Sequence, residues 1–254
     1  MITIKFYRFF SALILIFCAI NLNAQETEVM IRAKAKDAKF IGSSIGGAKI
    51  IIREALTGEI LAQGLTTGST GNTDKIMKQD WKRGEDLAEE STAGYKATLN
   101  LKEPVFVTIE AIAPVNKKQA RAISSTQLWL IPGKHITGDG IVLEVPGFVI
   151  DILSPQTHNS FKESEEITIS ANIVMMCGCP VEKDGLWGAN QYEVKAVLKD
   201  ARGEQTMLTL DQKNTASYFE GKTSLAKGLY ELMVYAYDPV SGNTGVEKTN
   251  IIIN

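Results

Sequence analysis

The residues with the most chemical character are Met175-Met176-Cys177-Gly178-Cys179-Pro180, two thioethers and two thiols in one short segment. Three chemistries suit these residue types. A disulfide between Cys177 and Cys179 fits an oxidising compartment, and Gly178 permits the tight turn that brings two such Cα atoms within bridging range. A ring so small constrains the unfolded chain little, so it is a weak staple and a readily reduced bond. Two thiolates with a thioether would instead hold Cu(I), a soft ion of low coordination number, with Cys177, Cys179 and either Met175 or Met176 as ligands. Adjacent strand residues point to opposite faces, so only one of the two methionines joins the cysteines easily, and the other belongs to the core. Thiol–disulfide exchange is the third reading. It requires a group that favours the thiolate, and the sequence supplies only Lys183 nearby. The disulfide leads, and the metal and exchange readings stay open beside it.

Other constellations carry less. Gly42-Ser43-Ser44-Ile45-Gly46 fits the G-x-S-x-G pattern of a nucleophile elbow, but an elbow runs from a strand through a sharp turn into a helix. Here the β-branched run Ile50-Ile51-Ile52 follows, so a plain turn is expected. A structural zinc site using His135 and His158 would have to gather ligands across two domains. Gly64, Gly68 and Gly71 lack the Lys-Ser/Thr pair of a phosphate loop. Asp238-Pro239-Val240-Ser241-Gly242-Asn243 lacks the alternating donors of a calcium loop and reads as a hairpin turn. Spacing alone picks out no pair of catalytic carboxylates.

How the cysteines are read depends on the compartment. Met1 to Ala24 has the form of a cleavable signal peptide: Lys5 and Arg8, then the apolar run Phe9 to Ile20, then Asn21-Leu22-Asn23-Ala24 ending on a small residue. The apolar run is too short to span a bilayer. Cys18 follows Leu15-Ile16-Phe17, and the bulky Phe17 argues against a lipoprotein signal. Cleavage leaves 230 of 254 residues and removes Cys18, so Cys177 and Cys179 become an isolated pair. Losing Lys5 and Arg8 takes the 27 basic residues to 25 against 29 acidic ones, a formal charge of −4. That balance offers no electrostatic case for nucleic acid or an anionic membrane surface. The expected address is the periplasm or the exterior, with no transmembrane segment in the mature chain.

The elements that must position the segment are strands. In Glu28–Lys36, Val29, Ile31, Ala33 and Ala35 alternate with Met30, Arg32, Lys34 and Lys36, one dry face and one charged. Further strands are expected at Ala48–Glu54, Glu59–Leu65, Tyr95–Leu101, Val105–Ala111, Ala120–Leu130 and Ile141–Val145. Pro146-Gly147 marks a domain boundary. The pattern then restarts at Phe148–Leu153, Glu166–Met175, Tyr192–Asp200, Thr206–Leu210, Tyr218–Lys222, Leu229–Tyr237 and Lys248–Ile253, separated by Gly, Pro, Asn and Asp turns. The fold class is therefore all-β, two consecutive β-sandwich domains over 25–146 and 147–254. The first carries a long, partly helical insertion at 66–94. Within it Asp74–Trp81 is expected to be an amphipathic helix with Ile76, Met77 and Trp81 inward, and Glu85–Glu90 a further turn. The insertion reads as an ordered excursion that covers a sheet edge, ahead of a binding lid.

Gly47-Ala48-Lys49-Ile50-Ile51-Ile52, with Thr57-Gly58 and Gly64-Leu65-Thr66-Thr67, resembles the opening strands of the carboxypeptidase regulatory-like (transthyretin-like) domains of secreted bacterial proteins. The insertion after residue 70 departs from that pattern. Gly228-Leu229-Tyr230-Glu231-Leu232-Met233-Val234-Tyr235-Ala236-Tyr237-Asp238-Pro239, with Gly242-Asn243, resembles the last strands of bacterial Ig-like or fibronectin-III-like modules. Both resemblances imply sandwich folds and a spacer, adhesive or binding role, and neither implies catalysis. The expected function is a non-enzymatic binding or interaction protein of the cell envelope that meets an envelope or extracellular protein or a metal donor, with Cu(I) at the Met175–Cys179 segment. A thiol–disulfide exchange protein and a purely structural module of a surface apparatus are the alternatives.

Overall fold

The computed structural model describes residues 24–254; all of the expected signal peptide but Ala24 lies outside the described residues. Seven strands precede Pro146: β1 (Gln25–Ala35), β2 (Lys49–Glu54), β3 (Ile60–Leu65), β4 (Tyr95–Leu101), β5 (Val105–Ala113), β6 (Ala122–Leu130) and β7 (Ile136–Val145). They form two sheets, ordered β4-β1-β7 and β3-β2-β5-β6. All pairings are antiparallel except that of β1 with β7, whose register shifts between Val29 and Ile31. Nine strands follow: β8 (Phe148–Ser154), β9 (Asn159–Phe161), β10 (Ile167–Met175), β11 (Glu193–Asp200), β12 (Gln205–Thr209), β13 (Asp211–Gln212), β14 (Tyr218–Thr223), β15 (Gly228–Tyr237) and β16 (Thr244–Ile253). These build a β13-β14-β10-β8 sheet against a β12-β11-β15-β16-β9 sheet. No ladder among the described residues joins a strand before Pro146 to one after it.

Alternation explains the cores. Val29, Ile31, Ala33 and Ala35 of β1 and Val107, Ile109, Ala111 and Ala113 of β5 are all buried in the apolar cluster. In the second sandwich Ile167, Ile169, Ala171, Ile173 and Met175 of β10 take the same role. Burial of such side chains contributes about 1.5–3 kcal/mol each, which is what opposes the ordering cost of the chain. Buried residues of both sandwiches belong to one contiguous apolar cluster.

Two expectations are corrected. The insertion is not a long helical one. Its helix, α1, spans only Thr73–Met77, capped by the Asn72 side chain accepting from the Asp74 and Lys75 amides. Trp81 is 65% exposed, with its indole N–H donating to the Glu85 carbonyl. The expected turn at Glu85–Glu90 is not helical; there the Leu87 and Ala88 amides donate to the Asp139 carboxylate (2.8 and 2.6 Å).

The second correction concerns the charged face of β1. Arg32 is only 6% exposed, since the returning limb of the 66–94 excursion lies over it. Its guanidinium donates to the carbonyls of Thr92 and Ala93, and more distantly to that of Gly138. Side-chain alternation placed Arg32 opposite the core correctly, but it carries no information about what packs on the other face. No helix among the described residues is long and apolar enough to cross a membrane.

Candidate functional site: a buried cysteine pair where the sandwiches meet

The Cys177–Cys179 segment caps β10. The Gly178 amide donates to the Met175 carbonyl at 2.7 Å, and the Met175 amide donates to the Cys179 carbonyl at 3.0 Å. Gly178 has φ +80°, a left-handed conformation that suits glycine. This turn sets the two cysteine Cα atoms 5.4 Å apart with their sulfurs at disulfide-bonding distance, the separation such a bond prefers. Met175, Met176 and Cys177 are essentially fully buried and Cys179 is 6% exposed.

The thioethers diverge from each other. Met175 Sδ accepts from the Tyr192 hydroxyl at 3.9 Å, and the Tyr192 ring packs edge-on against Phe148 with centroids 5.0 Å apart. The Met176 methyl instead lies against Gly147: a Cβ there would come within 2.8 Å of it and 2.9 Å of the Thr244 carbonyl. Any larger residue at 147 would therefore displace the link between the sandwiches or the segment itself. Among the described residues no three His, Cys, Asp or Glu side chains converge as a metal-holding set. His135 Nδ1 accepts from the Glu28 amide, on the first sandwich.

The apex of the turn faces the first sandwich. It meets Ile45, whose Cδ1 would lie 3.4 Å from a Cβ at Gly178. Ile45 belongs to the 3₁₀ turn Ser43–Ile45, the stretch that imitates a nucleophile elbow. It leads into strand β2 and not a helix, and the Ser43 hydroxyl accepts from the Gly68 amide at 3.0 Å. The buried Trp187 donates its indole N–H to the Asp37 carbonyl at 2.8 Å. The Asn243 amide group donates to the Lys36 carbonyl (3.1 Å) and accepts from the Gly147 amide (2.9 Å), so the hairpin turn Asp238–Asn243 bonds both the first sandwich and the linker. On the other flank Lys117 pairs with Asp151 at 2.8 Å, and Gln119 donates to the Ile150 carbonyl. Ile45, Asp37, Trp187 and Asn243 are the residues that sequence reasoning missed. The available signal was that a tryptophan and an isoleucine followed by two glycines fall between the expected strands, where large apolar side chains need a partner.

Burial pushes the Tyr192 phenol up to about 12, with Asp238 and Asp37 adding to the effect. The folded state thus holds the phenolic proton more tightly than the unfolded chain. The contribution of the neutral phenol is complete below the ordinary tyrosine value near 10 and is lost as the pH rises through about 12. Stability is expected to fall over that window. Tyr192→Phe should flatten the fall, as measured by thermal unfolding at a series of alkaline pH values.

No protein-family model matches the chain, and no curated protein matches it. Solved structures with some likeness include an engineered protein (17% identity over 49% of this chain, TM-score 0.32), of which the chain spans only 24%. The fibronectin(III)-like modules of Clostridium thermocellum CbhA match at 13% identity over 90% of this chain and 94% of theirs, with TM-score 0.31. The paired Ig domains of DIP-gamma match at 10% identity over 91% of both chains, with TM-score 0.22. With TM-scores this low nothing is inferred from these likenesses, and the two-sandwich fold rests on the strand ladders themselves.

Proposed function

We propose that this chain is an exported, non-enzymatic structural or binding protein of the cell envelope, with two β-sandwich domains over 25–146 and 147–254. In this reading Cys177 and Cys179 form a disulfide that shapes the end of β10 for docking onto the first domain. The observation that carries it is the burial of Met175, Met176, Cys177 and Cys179 beside Ile45 and Gly147, with only Gly178 exposed at the apex of the turn. A group that exchanges disulfides or receives a metal needs access, and the ligand or nucleophile must be a thiolate. A bonded and buried pair offers neither. The first domain's resemblance to carboxypeptidase regulatory-like domains, the periplasmic or external address and the absence of catalysis are parts of the same proposal.

Replacing both cysteines, Cys177→Ser with Cys179→Ser, tests the role. By loop-closure entropy a ring this small contributes between about 1 and 2 kcal/mol. The double variant is expected to lose that much in denaturant unfolding and to keep its fold. Cu(I) uptake by the reduced mature protein, in competition with a chelator, is expected to be the same in both proteins. Uptake by the wild type that the double variant lacks would favour the copper reading with Cys177, Cys179 and Met175 or Met176.

A further inference from the structure

We propose that the free edge of β6 is an interface between two copies of this chain, pairing antiparallel about a two-fold axis through Thr126. β6 is the end strand of its sheet and is bonded only to β5, through nine register pairs from Ala113↔Ala122 to Val105↔Leu130. Among the described residues no backbone group of Ala122–Leu130 bonds anything on the other side. Such an edge is a template for another strand unless charge, proline, a bulge or a cover blocks it. Ala122-Ile123-Ser124-Ser125-Thr126-Gln127-Leu128-Trp129-Leu130 holds no charged residue, no proline and no glycine.

The other edges are guarded. Tyr95 covers β3, its ring against Gly64 and its hydroxyl donating to the Gln63 carbonyl. β4 carries Lys96 and β8 carries Asp151. β7 carries Asp139 and Glu144 and is broken by positive-φ glycines at 138 and 140. β9, β12 and β13 are no longer than five residues.

The pattern of β6 selects its own copy as the occupant. Ile123 and Trp129 are 64% and 61% exposed, with Ser125 and Gln127 exposed between them on the same face. Pairing about Thr126 sets Ile123 opposite Trp129 of the second copy and Ser125 opposite Gln127, so apolar meets apolar and polar meets polar. On the other face Ala122 meets Leu130 and Ser124 meets Leu128. Paired residues of a sheet share a face, so the register can slip only in steps of two. One such slip sets Trp129 opposite Arg121, the other sets it opposite Ser125, and each shortens the ladder. Phe106 holds the Trp129 ring at 5.1 Å between centroids, which presents it ready-placed. The product is one continuous eight-stranded sheet, with both copies bonded along their full edge.

Sedimentation of the mature chain is expected to show a dimer. Ser125→Lys with Gln127→Lys places two lysine pairs face to face in this register and should raise the dimer dissociation constant by about tenfold or more. Both positions are exposed and the one bond lost, from the Gln127 amide to the Thr108 hydroxyl, lies at the surface, so the monomer's own unfolding midpoint should shift little. Ser125→Lys with Gln127→Glu should restore the dimer. Thr126→Cys should give a disulfide-linked dimer on mild oxidation, because directly opposed Cα atoms in a ladder lie about 4.5–5.5 Å apart. A monomer at every concentration overturns the proposal, as does a β6 edge that takes only a strand from another protein. A dimer that survives the double lysine change, or a Thr126→Cys protein that fails to link, overturns it too.

Discussion

Trp187→Ala is expected to lower the stability of the chain by about 3–5 kcal/mol, the range for removing a buried large aromatic side chain. The ring is almost fully buried although it sits in a loop, and its N–H reaches a carbonyl of the other sandwich. Two losses add: the apolar contacts of the ring, and the hydrogen bond that Asp37 then lacks. Trp187→Phe separates them. It keeps most of the ring and forfeits the bond, so it should cost about 1 kcal/mol, the net worth of one such bond. Equilibrium denaturant unfolding of the three proteins gives the comparison. An alanine variant as stable as wild type would mean that Trp187 does not hold the two sandwiches together.

The second large effect is expected at Arg32. Arg32→Met keeps a long apolar stem but removes the donors to Thr92 and Ala93, leaving two carbonyls in a buried setting without partners. Each hydrogen bond from a charged group contributes about 1.5–3 kcal/mol, so a loss of about 3 kcal/mol is expected. Arg32→Lys should rescue little of it, because an ammonium cannot reproduce a planar fork that serves several carbonyls at once. The damage should be local. Hydrogen exchange of the amides that bridge Ser69 with Ser91 and Thr67 with Gly94 is expected to speed up before that of β5. Uniform acceleration across the first sandwich would contradict the view that Arg32 ties down the excursion.

The strands were legible because their physics is local. A period of two with a β-branched dry face, as in Ile50-Ile51-Ile52 or Val105–Ala111, reports a half-buried strand whatever lies around it. The two shortest strands, β9 and β13, were not legible: two or three residues define no period. The excursion was misread for a related reason. Ile76, Met77 and Trp81 have helical spacing, but the helix closes after Met77, where the Lys78 and Gln79 amides both donate to the Asp74 carbonyl. Arg32 looked like a surface residue because alternation reports a face and says nothing of a distant segment folded over it.

The candidate site was half legible. Residue chemistry picked out Met175–Cys179, but strand alternation does not reach Met176, which lies in the turn beyond β10 and is buried like Met175. The neighbour that gives the segment its meaning was not legible. Ile45 matters through its contact with a turn some 130 residues later, and its own sequence context reads as a plain turn. Asn243 lay in a turn that could be dismissed as a calcium loop, yet its amide group bonds Lys36 and Gly147. Junction residues of this kind are set by the docking of two finished sandwiches, and no local periodicity encodes that.

As a closed, buried clip where the two sandwiches meet, the cysteine pair should offer no thiol to a reagent. The most direct measurement is the reaction of purified, unreduced mature protein with a thiol reagent, first folded and then in denaturant. No labelling of Cys177 or Cys179 is expected in either condition, with both labelled once reductant is added to the unfolded chain. Labelling of the folded, unreduced protein would contradict it, since a thiol that is free and within reach is neither bonded nor buried.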